Sequence, residues 1–342
     1  MNKERMHNLI TQLKKINPIV QNIRFDIAEF PEFKAIEKEL QKAIADSEGI
    51  VFDMCSHMLN AGGKRVRPLL VLYSGNLFSG EKTKDLIQAA VAAELIHMAS
   101  LVHDDIIDNS MFRRSKPSVN KIWGNNYAVL CGDYLFAKAF GLLSGSGIVS
   151  SMKYMVEAIQ MMCHGEILQA SQRYLTNINL NTYYDRIAKK TAIFLACCCK
   201  SGAIIAGADG TQIDLAAQYG VNLGYAFQII DDILDFCGNP LVMGKPVGED
   251  LIQGNLTLPV ILLMCKEGYG DWIRQLIHKR DFTKKNIDEV KIVLEETGII
   301  KKSYEIARKH IDRAKRALKL LPKSEYNDLL LSFADMLESR AN

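Results

Sequence analysis

Strand-like alternation is scarce in this sequence, and so is net charge. Over 342 residues the balance is only +3, with 24% charged and 48% hydrophobic. A charge so near zero supplies no basic stripe for nucleic acid and argues neither for nor against a membrane surface. The eight cysteines are scattered, apart from the run Cys197-Cys198-Cys199, and no pair has zinc-finger spacing. They read as reduced thiols of a cytosolic protein, not as a disulfide framework. The N-terminus lacks an apolar signal core, and Asp26, Glu29 and Glu32 speak against a transit peptide. No stretch approaches the roughly 18–20 uninterrupted apolar residues of a membrane span. These absences leave a cytoplasmic, all-α protein, long enough to bury a large core.

Against that background one stretch stands out. Glu94-Leu-Ile-His-Met-Ala-Ser-Leu-Val-His-Asp-Asp-Ile-Ile-Asp108 begins as an apolar helical run and ends in three carboxylates, Asp104, Asp105 and Asp108. At 3.6 residues per turn, Asp104 and Asp108 lie one above the other with Asp105 alongside. The three repel one another, and near a helix C-terminus they also face the negative end of the dipole. A divalent cation offsets both penalties, and ligands that are all oxygen favour Mg²⁺. A solvated acidic patch would explain one such cluster. A second copy, Phe227-Gln-Ile-Ile-Asp-Asp-Ile-Leu-Asp235, places Asp231, Asp232 and Asp235 at the same spacing. Two acidic helix segments facing one cavity would need several cations and a polyanion, so the pair reads as a magnesium–diphosphate cage.

Other segments are compatible with that cage. Ile36, Leu40 and Ile44 share a helical face in an opening that is more polar than the rest, up to about Gly49, which is expected to pack outside the core. Between Gly62-Gly63 and Pro68 lies Lys64-Arg65-Val66-Arg67. Cations at a helix N-terminus have the wrong sign unless an anion sits there, so this is either an exposed basic turn or a second diphosphate pocket. Ala99 and Ser100, five and four residues before Asp104, leave nothing bulky beneath it; this is a passage for an isoprenoid tail or ordinary close packing of helices. Arg113-Arg114 follows the first cluster, where guanidinium groups suit diphosphate oxygens. Met152, Met155, Ile159 and Met162 form a stripe that is core or tunnel wall. Lys190-Thr191 precedes an apolar run, and the Gly/Pro-punctuated segment 238–254 carries Lys245 and reads as a lid.

Taken together, Gly62-Gly-Lys-Arg-Val-Arg-Pro68, the first Asp-rich segment with Arg113-Arg114, Gly165-Glu-Ile-Leu-Gln169, Lys190-Thr191, Phe227 to Asp235 and Gly244-Lys-Pro-Val-Gly-Glu-Asp250 resemble the all-trans polyprenyl diphosphate synthases over nearly the whole chain. The resemblance implies one large helical bundle of the isoprenoid synthase type spanning 1–342, with a central active-site cavity. It implies that all six aspartates serve catalysis and hold Mg²⁺, three ions with substrate bound. Arg113, Lys190, Thr191, Gln228 and Lys245 would contact the allylic diphosphate. Lys64, Arg67, His97 and Arg114 would hold isopentenyl diphosphate. It further implies a homodimer, with a dissimilar regulatory subunit as an option. Ser115, where a glycine usually follows the arginine pair, and Asn255, where a lysine is common, depart from the pattern.

The chemistry fits: departure of pyrophosphate creates an allylic cation, which fixed positive charge and a dry cavity protect. No side-chain nucleophile is needed, and none is evident. Small Ala99 and Ser100 resemble medium- and long-chain members, so the expected product is longer than farnesyl diphosphate, about heptaprenyl. The alternatives are a shorter-chain (farnesyl or geranylgeranyl) synthase, a class I terpene cyclase, and a non-catalytic partner subunit. A cyclase has no use for a second diphosphate pocket, and a silent subunit would be expected to lose one acidic cluster.

Overall fold

A computed structural model describes residues 31–78, 83–114, 116–145, 147–238 and 247–339; Ser115 and Lys245, with the rest of 239–246, lie outside the described residues. In chain order the helices are α1 (Pro31–Ala45), α2 (Gly49–Asn60), α3 (Val66–Asn76) and α4 (Thr83–Ile107). A short antiparallel hairpin, β1 (Phe112–Arg113) and β2 (Lys116–Pro117), pairs Phe112 with Pro117. Then come α5 (Val119–Trp123), α6 (Asn125–Leu143), α7 (Val149–Ser171) and α8 (Leu180–Ile187), a π-helical turn (Ala188–Ala192), α9 (Ile193–Ala206) and α10 (Gly210–Cys237). The remainder is α11 (Glu249–Ile252), α12 (Leu258–Met264), α13 (Gly270–Lys279), α14 (Lys284–Glu296), α15 (Ile299–Lys319) and α16 (Glu325–Ser339).

Helix starts follow ordinary capping chemistry. Asp209 and Gln212 form a reciprocal capping box at α10, and Asn179 accepts from the Thr182 amide at α8. Pro68 sits in the first turn of α3, where its missing N–H costs nothing. The centre of the bundle is α4, α9 and α10. α4 packs on α3 and α6; α9 lies between α3, α7 and α10; α10 is backed by α15.

Three expectations meet particulars. Ile36, Leu40 and Ile44 do share one face, and that face is buried in the main core, so α1 contributes to the core instead of lying clear of it. The methionine stripe is core: Met155 is fully buried and Met162 nearly so. α4 is the one described helix long and apolar enough to cross a membrane, by length and composition. Two-thirds of that window (67%) is buried inside the bundle, as befits a central core helix.

Close helix approach is bought with glycine. A Cβ on Gly165 would sit 2.8 Å from the Lys190 nitrogen, and one on Gly224 2.5 Å from the Ala192 Cα. α7 and α10 therefore both press against the π turn, which carries Lys190-Thr191.

Candidate active site

The first acidic cluster sits at the C-terminal end of α4, as its sequence implied. Asp105 is buried, and both its oxygens are taken: Arg113 donates Nε to Oδ2 at 2.8 Å and Nη2 to Oδ1 at 2.7 Å. Asp108 accepts from Arg173 Nη2 at 2.6 Å. Asp104 is half-buried; burial and the nearby Glu166 push its carboxyl up to about 7, against the pull of Lys190 and Arg113. Lys190 Nζ pairs with Glu166 Oε1 at 2.6 Å. Burial alone would discharge this lysine, but Glu166 and Asp104 hold its pKa above the usual value.

The second cluster closes α10 in the same way. Asp232 is buried, accepting from Tyr183 Oη at 2.7 Å on Oδ2 and from Gln228 Nε2 at 3.0 Å on Oδ1. Burial, then Asp250, push its carboxyl up to about 7. Gln228 Oε1 in turn accepts from the Thr191 hydroxyl at 2.8 Å. Asp231 is exposed, and the Asp250 amide faces Asp235 Oδ1 at 3.5 Å. The π turn thus serves both clusters. Lys190 reaches the Asp104–Glu166 side, and its neighbour Thr191 reaches Asp232 through Gln228. A π turn widens the helix locally, and such turns concentrate at functional sites.

The basic side lies at the start of α3. Arg65 has a left-handed φ of 49° and a buried guanidinium shared by Glu37, at 2.5 Å, and Glu94, at 2.8 Å. Arg67 differs. Its Nε is sealed from solvent without a hydrogen-bond partner among the described residues, and burial lowers its pKa. It lies 5.7 Å from the Phe194 ring centroid. His97 is held neutral by burial and by the surrounding Arg67, Arg114, Arg113 and Arg65. Arg114, at a φ of 50° on the hairpin tip, has its pKa lowered by burial and by Arg113. A Cβ on Gly63 would lie 2.9 Å from both Arg65 and Arg114 nitrogens, so the two guanidinium groups converge over this glycine. Four arginines around a neutral histidine, one with an orphaned donor, fit an anion.

The acidic side fits Mg²⁺ with a diphosphate. Its ligands are all carboxylate, and burial first, then neighbouring carboxylates, raise the pKa values of Asp104 and Asp232. Among the described residues, no three His, Cys, Asp or Glu side chains converge to hold an ion by themselves. Mg²⁺ commonly takes one or two carboxylates and completes its shell with water and substrate phosphates. Asp105 and Asp232 have both oxygens engaged by protein donors, because each points inward where an unpaired carboxylate would be costly.

Beneath Asp104, Ala99 is fully buried while Ser100 is only partly so, its hydroxyl donating back to the His97 carbonyl at 2.9 Å. Sequence reasoning missed Glu166, Arg173 and Tyr183. Glu166 lies inside Gly165-Glu-Ile-Leu-Gln169 and could have been singled out; the other two carry no local signal.

The profile of the polyprenyl synthetase family matches residues 48–296. The chain belongs to that family. It is 37% identical over 303 residues to heptaprenyl diphosphate synthase component 2 of Geobacillus stearothermophilus, covering 89% of this chain and 94% of that one. The heptaprenyl diphosphate synthase of Staphylococcus aureus superposes with a TM-score of 0.84 at 33% identity, over 91% of this chain and 98% of that one. A polyprenyl synthase of Caulobacter crescentus CB15, complexed with calcium and isoprenyl diphosphate, gives 0.84 at 31% identity, over 90% and 96%. This polyprenyl synthetase has the all-α isoprenoid synthase fold, and it is a trans-prenyltransferase.

Proposed function

We propose that this synthetase condenses isopentenyl diphosphate with an allylic diphosphate, in an Mg²⁺-dependent reaction, to give an all-trans product of about heptaprenyl length. The observation that carries this is the π turn, whose adjacent Lys190 and Thr191 engage the two acidic clusters, so both face one centre beside the Arg67–His97–Arg114 pocket. Arg67, His97, Arg114 and the exposed Lys64 hold the isopentenyl diphosphate. Arg113, aimed by Asp105, holds the allylic diphosphate with Lys190, Thr191, Gln228 and Lys245. Asp104, Asp108, Asp231 and Asp235 would hold Mg²⁺, three ions with substrate bound, while Asp105 and Asp232 position Arg113 and Gln228. When bound, Mg²⁺ supplies charge neutralisation for the departing pyrophosphate.

The allylic C–O bond breaks, the isopentenyl double bond attacks the allylic cation, and a proton leaves to the pyrophosphate. Fixed cations that meet the developing negative charge without reorganising give much of the acceleration. Ser100, less buried than Ala99, would mark the path of the growing tail.

We further propose a cytoplasmic homodimer, one domain per chain, with a dissimilar subunit as a second partner. Exposed Met111, Phe112, Ile122, Tyr127, Val129 and Leu130, on and beside α5 and the first turns of α6, supply an apolar face for the second copy. The name "component 2" carried by the Geobacillus relative supports a two-component enzyme. Chromatography of the product made from an allylic primer, excess isopentenyl diphosphate and Mg²⁺ tests the reading. Polyprenyl diphosphates beyond farnesyl are expected; a product that stops at farnesyl would refute the chain length.

A further inference from the structure

Beyond the residues already assigned, one more cation reaches the first cluster. Arg173 follows the end of α7, and its Nη2 donates to Asp108 Oδ1 at 2.6 Å. Its Nε is sealed from solvent and has no hydrogen-bond partner among the described residues. The same holds for Oε1 of the adjacent Gln172. An orphaned donor on a side chain that already meets a carboxylate, with an orphaned acceptor on the preceding residue, marks a place where a further polar group belongs.

Arg173 is also anchored from behind. Tyr174 takes a left-handed φ of 62°, its amide donates to the Gly254 carbonyl at 2.9 Å, and its hydroxyl donates to the Ile252 carbonyl at 2.9 Å. The ring stacks on Phe282 at 6.1 Å and carries Arg280 on its face at 4.2 Å. Gly254, itself at a φ of 84°, leaves no room for a Cβ, which would stand 2.7 Å from the ring. The segment so gripped leads back through the Asp250 and Gly248 amides to Asp235. Consecutive residues therefore join the first acidic cluster to the stretch behind the second.

We propose that Arg173 is a placeholder cation for the metal site: it neutralises Asp108 while no ion is present, yields that oxygen when Mg²⁺ binds, and turns its free donors to the incoming diphosphate. The inference rests on the proposed reading of Asp104 and Asp108 as ion ligands. The charge argument fixes opposite signs for two ligands. Removing a cation beside an ion site removes both a competitor and a repulsion, so a metal binds more tightly. Removing it beside a diphosphate weakens the anion.

The test uses the purified full chain, wild type and Arg173→Gln, with Arg173→Lys as the charge-retaining control. Mn²⁺, a paramagnetic stand-in for Mg²⁺, is titrated alone by electron paramagnetic resonance; inorganic pyrophosphate is titrated at saturating Mg²⁺ by calorimetry. Arg173→Gln should bind Mn²⁺ about tenfold more tightly and pyrophosphate about tenfold more weakly, with Arg173→Lys near wild type in both. A merely structural arginine would weaken both or neither, and either pattern overturns the proposal. A variant that does not fold is replaced by Arg173→Met, for which the same two signs are required. If wild type binds neither Mn²⁺ nor Mg²⁺ with pyrophosphate, the metal-site reading itself falls.

Discussion

Arg65 and Arg67 stand two residues apart in one basic run, and the structure gives them opposite fates on substitution. Arg65 is wholly occupied, with Nε on Glu37, Nη1 on Glu94 and Nη2 on the Leu59 carbonyl. Arg65→Met would leave Glu94, 3% exposed, as a buried carboxylate without its partner. Breaking such a pair from one side costs about 3–5 kcal/mol. In a chain of this size that corresponds to a fall of about 4–7 °C in melting temperature. Arg67 is a part-buried guanidinium whose Nε has no acceptor among the described residues, and burial lowers its pKa by more than Glu94 and Asp104 raise it. Arg67→Met should therefore stabilise the substrate-free enzyme by about 1 kcal/mol, a rise of about 2 °C. The same change should raise the KM for isopentenyl diphosphate by about 10- to 100-fold, the loss of a charge-assisted hydrogen bond of about 1.5–3 kcal/mol. Differential scanning calorimetry and initial-rate kinetics read the two effects on the same preparations. Glu94→Gln combined with Arg65→Met should recover part of the stability lost with Arg65→Met alone. The reasoning fails if Arg65→Met melts within about 2 °C of wild type, or if Arg67→Met lowers stability while leaving KM unchanged.

Further predictions concern the tail path, the acidic clusters and pH. Ser100→Phe should shorten the product by filling the space below Asp104, measured by chain-length chromatography. Ala99→Phe, at a site with no exposed surface, should instead cost about 1–3 kcal/mol through overpacking; an equal loss of stability in both would contradict this division. Asp104→Asn should abolish Mg²⁺-dependent turnover, whereas Asp105→Asn should chiefly raise the KM for the allylic substrate by loosening Arg113. Asp104 and Asp232 hold protons in the folded enzyme up to about 7, where the unfolded chain has released them near 3.8. Their linkage term therefore lowers stability as pH rises from about 4 to about 7, opposite to that of ordinary ion-paired carboxylates. Urea titrations of Asp104→Asn and Asp232→Asn should show a flatter pH dependence than wild type over this window. Added Mg²⁺ with pyrophosphate should restore most stability above about 7.

Much of the site could be read from spacing, because the DDxxD repeats put carboxylates on one face of any helix, and both fell at helix ends. The all-α fold was legible for the same reason: apolar residues recur at helical intervals and rarely alternate. What spacing could not do was separate residues of one type. Arg65 and Arg67 differ only in what α1 and α4 bring to them. Asp105 and Asp232 differ from Asp104 and Asp231 in facing Arg113 and Tyr183, partners that arrive from the hairpin and from α8. The π turn was equally hidden, since Tyr184 to Ala206 has the pattern of continuous helix. It is the packing of Gly165 and Gly224 against Ala188–Ala192 that singles the turn out. Ala99 and Ser100 looked equivalent as small residues, and only their unequal burial tells them apart.

The account stands on two acidic clusters and a basic pocket serving one bond-forming reaction. Purified enzyme given an allylic diphosphate and labelled isopentenyl diphosphate should release one pyrophosphate for every isopentenyl unit incorporated, and should stop when EDTA removes Mg²⁺. Pyrophosphate release without incorporation, or incorporation undiminished by EDTA, would contradict it.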